Sequence, residues 1–489
     1  MSTPSGQSEQ SSVGDLAAAP PNKVPTKRGV ELMLLVFATV LVTGAFILVQ
    51  GNQAQELKPE ILFYALAYLA MFGIAHVVVR KFAPYADPLI LPCVALLNGL
   101  GLVMIYRIDL AKAAAAARAS SAFSGSAPSQ VMFTAIGIIL FSVFLYFLRD
   151  HRMLSRYGYT LGLVGLALLI LPGILPASIS GAGGAKVWVR IPGLIGLQPG
   201  EFAKIMLFIF FASFLVAKRD LFMNAGRTFL GLELPRLRDL GPLLFALAAS
   251  VGVLALEKDL GNSLLIFGVV LVLLYIATER FAWVLIGLIP FIAACVVAYK
   301  LLTHVQQRVT NWIDPFSNYS GAGGGYQLAQ SLFGLGTGGI FGTGLGAGRP
   351  ELVPEANSDF IVSGIGEELG FIGLAALLLI YLVLTMRGMR SAVAVRDTFG
   401  KLLGGALAFS LAWQVFVVVG GATKLIPETG LTTPFMSAGG SSLLANYILV
   451  AILLRISDAA RRPKSTPSRP GMQNTPISQA HTVMVERSS

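Results

Sequence analysis

The sequence predicts an all-α polytopic membrane protein of about twelve transmembrane helices with one long outer loop, and three observations carry that prediction. Of 489 residues 55% are hydrophobic and only 12% charged, with a mean hydropathy of +0.73, too apolar for a water-soluble globule. Runs of about 20 mostly apolar residues, the length that crosses a bilayer, recur near 30–50, 60–79, 89–107, 131–148, 158–177, 201–217, 241–256, 261–278, 281–299, 362–386, 401–420 and 438–455. Basic residues gather in alternate loops, the pattern that marks the cytoplasmic side.

In chain order, residues 1–29 are rich in Ser, Pro, Gln and Gly and are predicted to be a disordered tail, because such a composition buries too little apolar area to offset the entropy of ordering. The first span follows Lys23, Lys27 and Arg28 and is long enough to be an anchor rather than a cleaved signal. The basic loops hold Arg80 and Lys81, then Arg149, Arg152 and Arg156, then Lys218, Arg219, Arg227, Arg236 and Arg238, then Arg387, Arg390 and Arg396. With an even number of spans, both termini are expected in the cytoplasm. The stretch 111–128 reads either as a low-complexity outer loop or as an extension of the preceding helix. The tight connections within 241–278 and 261–299 leave room for one merged or broken helix. Residues 457–489 repeat the tail composition. Cys93 and Cys295 lie in or beside apolar runs without metal-ligand spacing, so neither a disulfide framework nor a zinc site is expected. The net charge of +11 is spread over many loops, which excludes a nucleic-acid-binding face.

Three outer segments are not ordinary connectors. Residues 179–200, 300–361 and 420–442 mix Gly and Pro with polar groups near membrane depth, a combination tolerated only where backbone is buried in protein or lines a wet cavity. Together they predict one outward-facing cavity. Asp359 stands where the longest loop turns into the tenth span; a carboxylate there reads as functional, unless Ser358 or Asp359 merely caps the helix. Glu367 and Glu368 follow in the same apolar run and either pair with a base or touch a ligand. Glu201 and Lys204 share one helix face at i, i+3 spacing, as an internal ion pair or as an ammonium holding a pyrophosphate. Asp259 is a turn residue before Gly261 or a third acid of the cavity. Trp188 is an interfacial anchor or, with Lys186 and Arg190, brackets a sugar and its phosphate. The glycines of 321–348 confer flexibility; as a phosphate cradle they are a weak signal.

Four motifs, in this order and spacing, carry a resemblance: GGAKVWVRIPGLIGLQPGEFAK, EKDLGNS, the stretch from DPFSNYSGAGGGYQ to NSDFIVSGIGEELGFIG, and IPETGLTTPFMSAGGSS. They resemble the shape, elongation, division and sporulation (SEDS) family over about 89–457, and look most like its elongation branch in actinobacteria. The resemblance implies a ten-helix core at 85–456 containing the outer loop 300–361, which makes 30–84 an additional N-terminal transmembrane hairpin. It implies a peptidoglycan glycosyltransferase of the bacterial plasma membrane, active on the outer face. Its substrate would be lipid II, an undecaprenyl-pyrophosphate-linked disaccharide pentapeptide, polymerised into β-1,4 strands with inversion at the anomeric carbon. A class B penicillin-binding protein would be the partner. A lipid II flippase is the rival reading, since transporters also use intramembrane acids and broken helices, and a division-specific polymerase is the nearer alternative. Asp359 matches the acid regarded as essential. Glu201 and Lys204 match Q-P-S-E-x-x-K with Gly200 in place of Ser, and Asp259 matches P-D-L-G with Lys258 in place of Pro. Val187 stands where the family carries Arg before the Trp, leaving Lys186 or Arg190 to supply that charge. The Asn usual before the last outer loop is missing from VFVVVGGATK. No metal ligand set is evident; Mg2+ or Mn2+ is expected only as an accessory to the pyrophosphate.

Overall fold

A backbone surrounded by hydrocarbon must satisfy its own N–H and C=O groups, so each long apolar run closes into a helix. The computed structural model describes residues 26–463 apart from 55–59, 183–184, 191–195, 220–226, 230–231, 235–236, 318 and 320–324. Apart from two single turns, Met153–Arg156 and Ala177–Ser180, the described α-helices are α1 (Arg28–Ala54), α2 (Glu60–Phe82), α3 (Ile90–Arg118), α4 (Ala127–Phe147), α5 (Gly158–Ile174), α6 (Pro199–Ala217), α7 (Leu237–Leu256), α8 (Leu260–Thr278), α9 (Ala282–Leu301), α10 (Thr303–Ile313), α11 (Gly325–Gly338), α12 (Ile361–Ala394), α13 (Thr398–Ala422) and α14 (Gly440–Arg461). Two small antiparallel strand pairs, Gly181–Ala182 with Ala185–Lys186 and Arg227–Phe229 with Leu232–Leu234, lie in connections.

Among the described residues ten helices are long and apolar enough to cross a membrane, and Gly158–Ile174 and Gly241–Leu256 are shorter apolar helices. Each of the twelve predicted runs falls on a separate helix, so the tight pairs around 241–299 are not merged. The Ala-rich stretch after 110 extends α3 to Arg118. The expected tails lie largely outside the described residues, but helix begins at Arg28 and continues to Arg461, which moves the tail boundaries from 29 and 457.

Burial separates the helices. In α3 and α14, 83% and 89% of the spanning window is buried, whereas in α9 none is; α9 therefore turns an apolar surface to lipid. Around this centre α14 packs on α4, α12 and α6, α3 on α1 and α12, and α8 on α13 and α7. Close approach uses small residues, as membrane helices commonly do: a Cβ on Gly101 would lie 2.4 Å from the Met436 carbonyl oxygen. Charges at the end predicted to be cytoplasmic are neutralised in pairs. Buried Asp87 takes the Arg461 guanidinium, and His151 Nε2 meets Asp397 Oδ2 at 2.8 Å.

At the other end the long loop folds as α10, α11 and a short turn at Pro350–Leu352. It closes over a break in α12. Gly370 adopts φ 68° and ψ −171°, interrupting the helix, and the backbone of 339–342 fills the gap: Phe371 N donates to Gly339 O at 2.9 Å and Ile372 N to Ile340 O at 3.2 Å. A Cβ at Gly370 would lie 2.3 Å from Gly342 N, so only glycine fits that crossing. The first turns of α12 thereby stand apart from its lipid-spanning remainder.

Candidate active site

Asp359 lies two residues before the first residue of α12. The cap position of that helix is Phe360, with no side-chain cap bond, so neither Ser358 nor Asp359 acts as the N-cap. Instead Ser358 Oγ donates to Asp359 Oδ1 at 2.8 Å. The segment is fixed by the last outer loop: Ser437 Oγ donates to Ser358 O at 2.6 Å and Ala438 N to Asn357 O at 2.7 Å. The side chain is half-buried, and that burial pushes its pKa to about 6; the Ser358 bond opposes the rise, Glu355 adds to it, Arg308 lowers it and Asp259 raises it slightly.

Arg308 is the cation shared by this region. It projects from α10, and its Nη1 donates to Glu428 O at 3.1 Å. Gly430, at φ 74°, passes between the groups: a Cβ there would lie 3.6 Å from Arg308 Nη2 and 3.7 Å from Asp359 Oδ2. A side chain there would touch both groups and hold a positive φ that favours glycine. Glu428 is pushed to about 7 by burial, against the pull of Arg308 and with the repulsion of Asp359. Asp259 is raised by burial, opposed by Asn262, raised by Glu201 and lowered by Arg308. Its carboxylate caps α8, accepting from Asn262 N at 3.1 Å and Asn262 Nδ2 at 2.8 Å. Asp259 thus caps α8 and stands close enough to Glu201 and Arg308 for each to act on its charge.

Glu201 and Lys204, on the first turns of α6, form a buried ion pair at 2.6 Å. Lys204 Nζ also donates to Gln414 Oε1 at 3.3 Å, and Gln414 Nε2 to Thr432 O at 2.7 Å. The pair thus ties α6 to α13 and to the last outer loop. Arg190 lies over the Trp188 ring at 5.5 Å from its centroid, a cation–π contact. Lys186 lines a cavity of about 440 Å3 with Ile174, Leu256, Glu257 and Lys258, the residue before Asp259. Glu367 and Glu368 face elsewhere. Glu368 is fully buried, with Arg107 Nε at 2.8 Å on one oxygen and Gly346 N at 2.9 Å on the other, while Glu367 accepts from Arg349 N at 2.7 Å. The structure therefore brings Asp359, Ser358, Asp259, Glu201 and Lys204 to one region and binds Glu368 into a separate knot.

Arg308, Glu428, Gln414 and Arg107 were not singled out in the sequence. An arginine on the polar α10 and an acid between Pro427 and Thr429 were the available signals. Backbone strain marks the same region: of six non-glycine residues with positive φ among the described residues, Lys258, Glu355, Lys424 and Phe435 lie in the segments around it. Such conformations collect at functional sites. Among the described residues no group of three or more His, Cys, Asp or Glu is placed to hold a metal ion.

The family model of the cell cycle proteins FtsW, RodA and SpoVE matches residues 87–462. A relative named peptidoglycan glycosyltransferase RodA, from Mycobacterium tuberculosis, is 53% identical over 96% of this chain and 98% of its own length. A probable peptidoglycan glycosyltransferase FtsW from Trichlorobacter lovleyi is 34% identical over 76% of this chain and 93% of its own. Among solved structures, a chain from work on polymerization and crosslinking by a peptidoglycan synthase complex aligns with TM-score 0.53 and 24% identity, covering 82% of this chain and 98% of that one, which shows the shared fold. With the helices in place and Asp359 held at the mouth of α12, the match over nearly the whole core makes this chain a member of the FtsW, RodA and SpoVE family, the SEDS family its motifs resemble.

Proposed function

We propose that this chain is a peptidoglycan glycosyltransferase that polymerises lipid II into β-1,4 glycan strands on the outer face of the bacterial plasma membrane, in cell-wall elongation. The observation that carries the mechanism is Asp359: a carboxylate raised to about 6, beside Arg308, at the head of a broken helix. A base works best when its pKa lies near the operating pH, ionised yet still able to hold a proton.

The 4-hydroxyl of the acceptor sugar gives its proton to Asp359 as its oxygen attacks the donor's anomeric carbon. The bond from that carbon to the pyrophosphate oxygen breaks, inversion follows from attack opposite the leaving group, and undecaprenyl pyrophosphate departs. Fixed cations stabilise the charge that grows on the leaving oxygen; Arg308, Lys186 and Arg190 are the candidates. Lys204 already faces Glu201 and organises the site more than it offers a free charge. An accessory Mg2+ or Mn2+ would sit on the pyrophosphate itself, and the steps proposed use the chain's own groups. A class B penicillin-binding protein is the proposed partner, and the basic loops favour both termini in the cytoplasm.

The test is polymerisation of labelled lipid II by purified wild type and Asp359→Asn, each with and without the penicillin-binding partner. Polymer from wild type and none from the folded variant is expected. Equal polymer from both overturns the role of Asp359. No polymer from wild type, with lipid II crossing a sealed bilayer, would favour a flippase.

A further inference from the structure

The family match begins at residue 87, so α1 and α2 lie outside it, yet α1 reaches the loop that leads to Asp359. Its position is firmly set. Phe46 stacks on Tyr64, with centroids 5.5 Å apart and planes 4° from parallel, and meets Tyr106 of α3 edge-on at 5.5 Å. Gln50 Nε2 lies 3.5 Å from the Tyr106 hydroxyl. At the outer end the side-chain amides of Asn52 and Gln53 donate to the carbonyls of Leu345 and Gly346. Gly346, at φ 81°, lies so close that a Cβ there would be 3.0 Å from Asn52 Cβ and 3.1 Å from Val49 Cα.

The same bend is gripped from its inner side. Gly346 N donates to Glu368 and Arg349 N to Glu367, while Thr343 N and Gly344 N bond the Glu367 and Glu368 carbonyls at 3.0 and 2.9 Å. Arg107 of α3 donates to both Gly348 O and Glu368. Beyond Arg349 the chain turns through Pro350–Leu352, whose Pro350 packs near Gly364 of α12, and arrives at Ser358 and Asp359. One wall of the bend is α1 and the other is the broken start of α12.

We infer that the N-terminal hairpin is the outer jaw of a clamp on residues 343–349, and that Asn52 and Gln53 are positioning residues which hold that loop, and through it Asp359, in register. The inference rests on the proposed glycosyltransfer for its activity readout, and on the geometry alone for its structural one. A merely stabilising hairpin would give a different pattern. Ordering a base affects the chemical step, whereas substrate contacts elsewhere remain, so the loss should fall on kcat and not on KM.

The experiment compares full-length wild type, the double variant Asn52→Ala/Gln53→Ala, and Gly346→Val, which pushes the jaws apart from the loop side. Lipid II polymerisation and amide hydrogen exchange are measured on the same samples. Expected are about a tenfold lower kcat, KM within about twofold, and faster exchange at Gly344 and Arg349 in both variants. Unchanged exchange at those amides overturns the clamp, whatever happens to activity. Faster exchange with unaltered kcat overturns the positioning role. If wild type itself forms no polymer, the glycosyltransfer reading fails and the exchange result alone judges the clamp.

Discussion

Two groups of acids flank the start of α12, and they differ in how completely the protein satisfies them. Glu368 is fully buried, with Arg107 on one oxygen and a backbone N–H on the other; Arg107 is itself closed off by Glu351 at 3.2 Å and by Gly348 O. Asp359 is half-buried, accepts a hydrogen bond from its neighbour Ser358, and faces Arg308 across Gly430. Both are carboxylates. A carboxylate with all its partners inside the protein holds structure together, because breaking a buried pair strands a charge. One left short of partners, near a cation, has capacity for a proton from substrate.

That contrast breaks if the two groups respond alike to substitution. Asp359→Asn should lower polymerisation by about 10²–10⁴-fold, the usual worth of a positioned base, with the thermal midpoint in detergent essentially unchanged; a large drop in midpoint would move Asp359 to the structural side. Arg107→Met should do the reverse, destabilising by about 3–5 kcal/mol because Glu368 is left buried and unpaired, which denaturation in mild detergent would register. An unaltered midpoint would mean that the Arg107 knot is dispensable.

A pH profile sharpens the comparison further. The proposed base works in its ionised form, so activity in wild type should fall as pH drops through about 6. Arg308 lowers that pKa; in Arg308→Gln the pKa rises, more of the base is protonated at any given pH, and the acid limb moves upward. The rate ratio of wild type to variant should then be several-fold larger at about pH 5.5 than at about pH 8; a constant ratio would remove Arg308 from the base's surroundings. The smallest effect is expected for Gln414→Leu. It deprives Lys204 of one acceptor and Thr432 O of a donor, a loss of about 1 kcal/mol, visible as a modest midpoint shift with little change in rate.

The twelve apolar runs were legible because hydrocarbon demands them. Each is a local property of about 20 residues, and each became a helix. Asp359, Asp259 and the Glu201–Lys204 pair were legible for a related reason: charges at the ends of apolar runs are costly enough to be noticed. Arg308 and Glu428 were not, because a base on a polar surface helix and an acid in a turn cost nothing locally. Their meaning comes from α10 lying against the last outer loop, residues far apart in the chain. The same applies to Glu368. One acid among several in the sequence, it is separated from Asp359 only by the burial of Arg107 beside it.

By itself, then, the sequence determined the place and order of the apolar helices, the alternation of basic loops, and the short list of acids worth suspecting. Only the tertiary structure decided which acids are closed into ion pairs, that α12 breaks at Gly370 to admit the loop, and that α1 reaches across to hold that loop. The physical reason is range. Hydropathy and helix formation act over a few turns, whereas pairing, desolvation and backbone crossing depend on which distant segments meet.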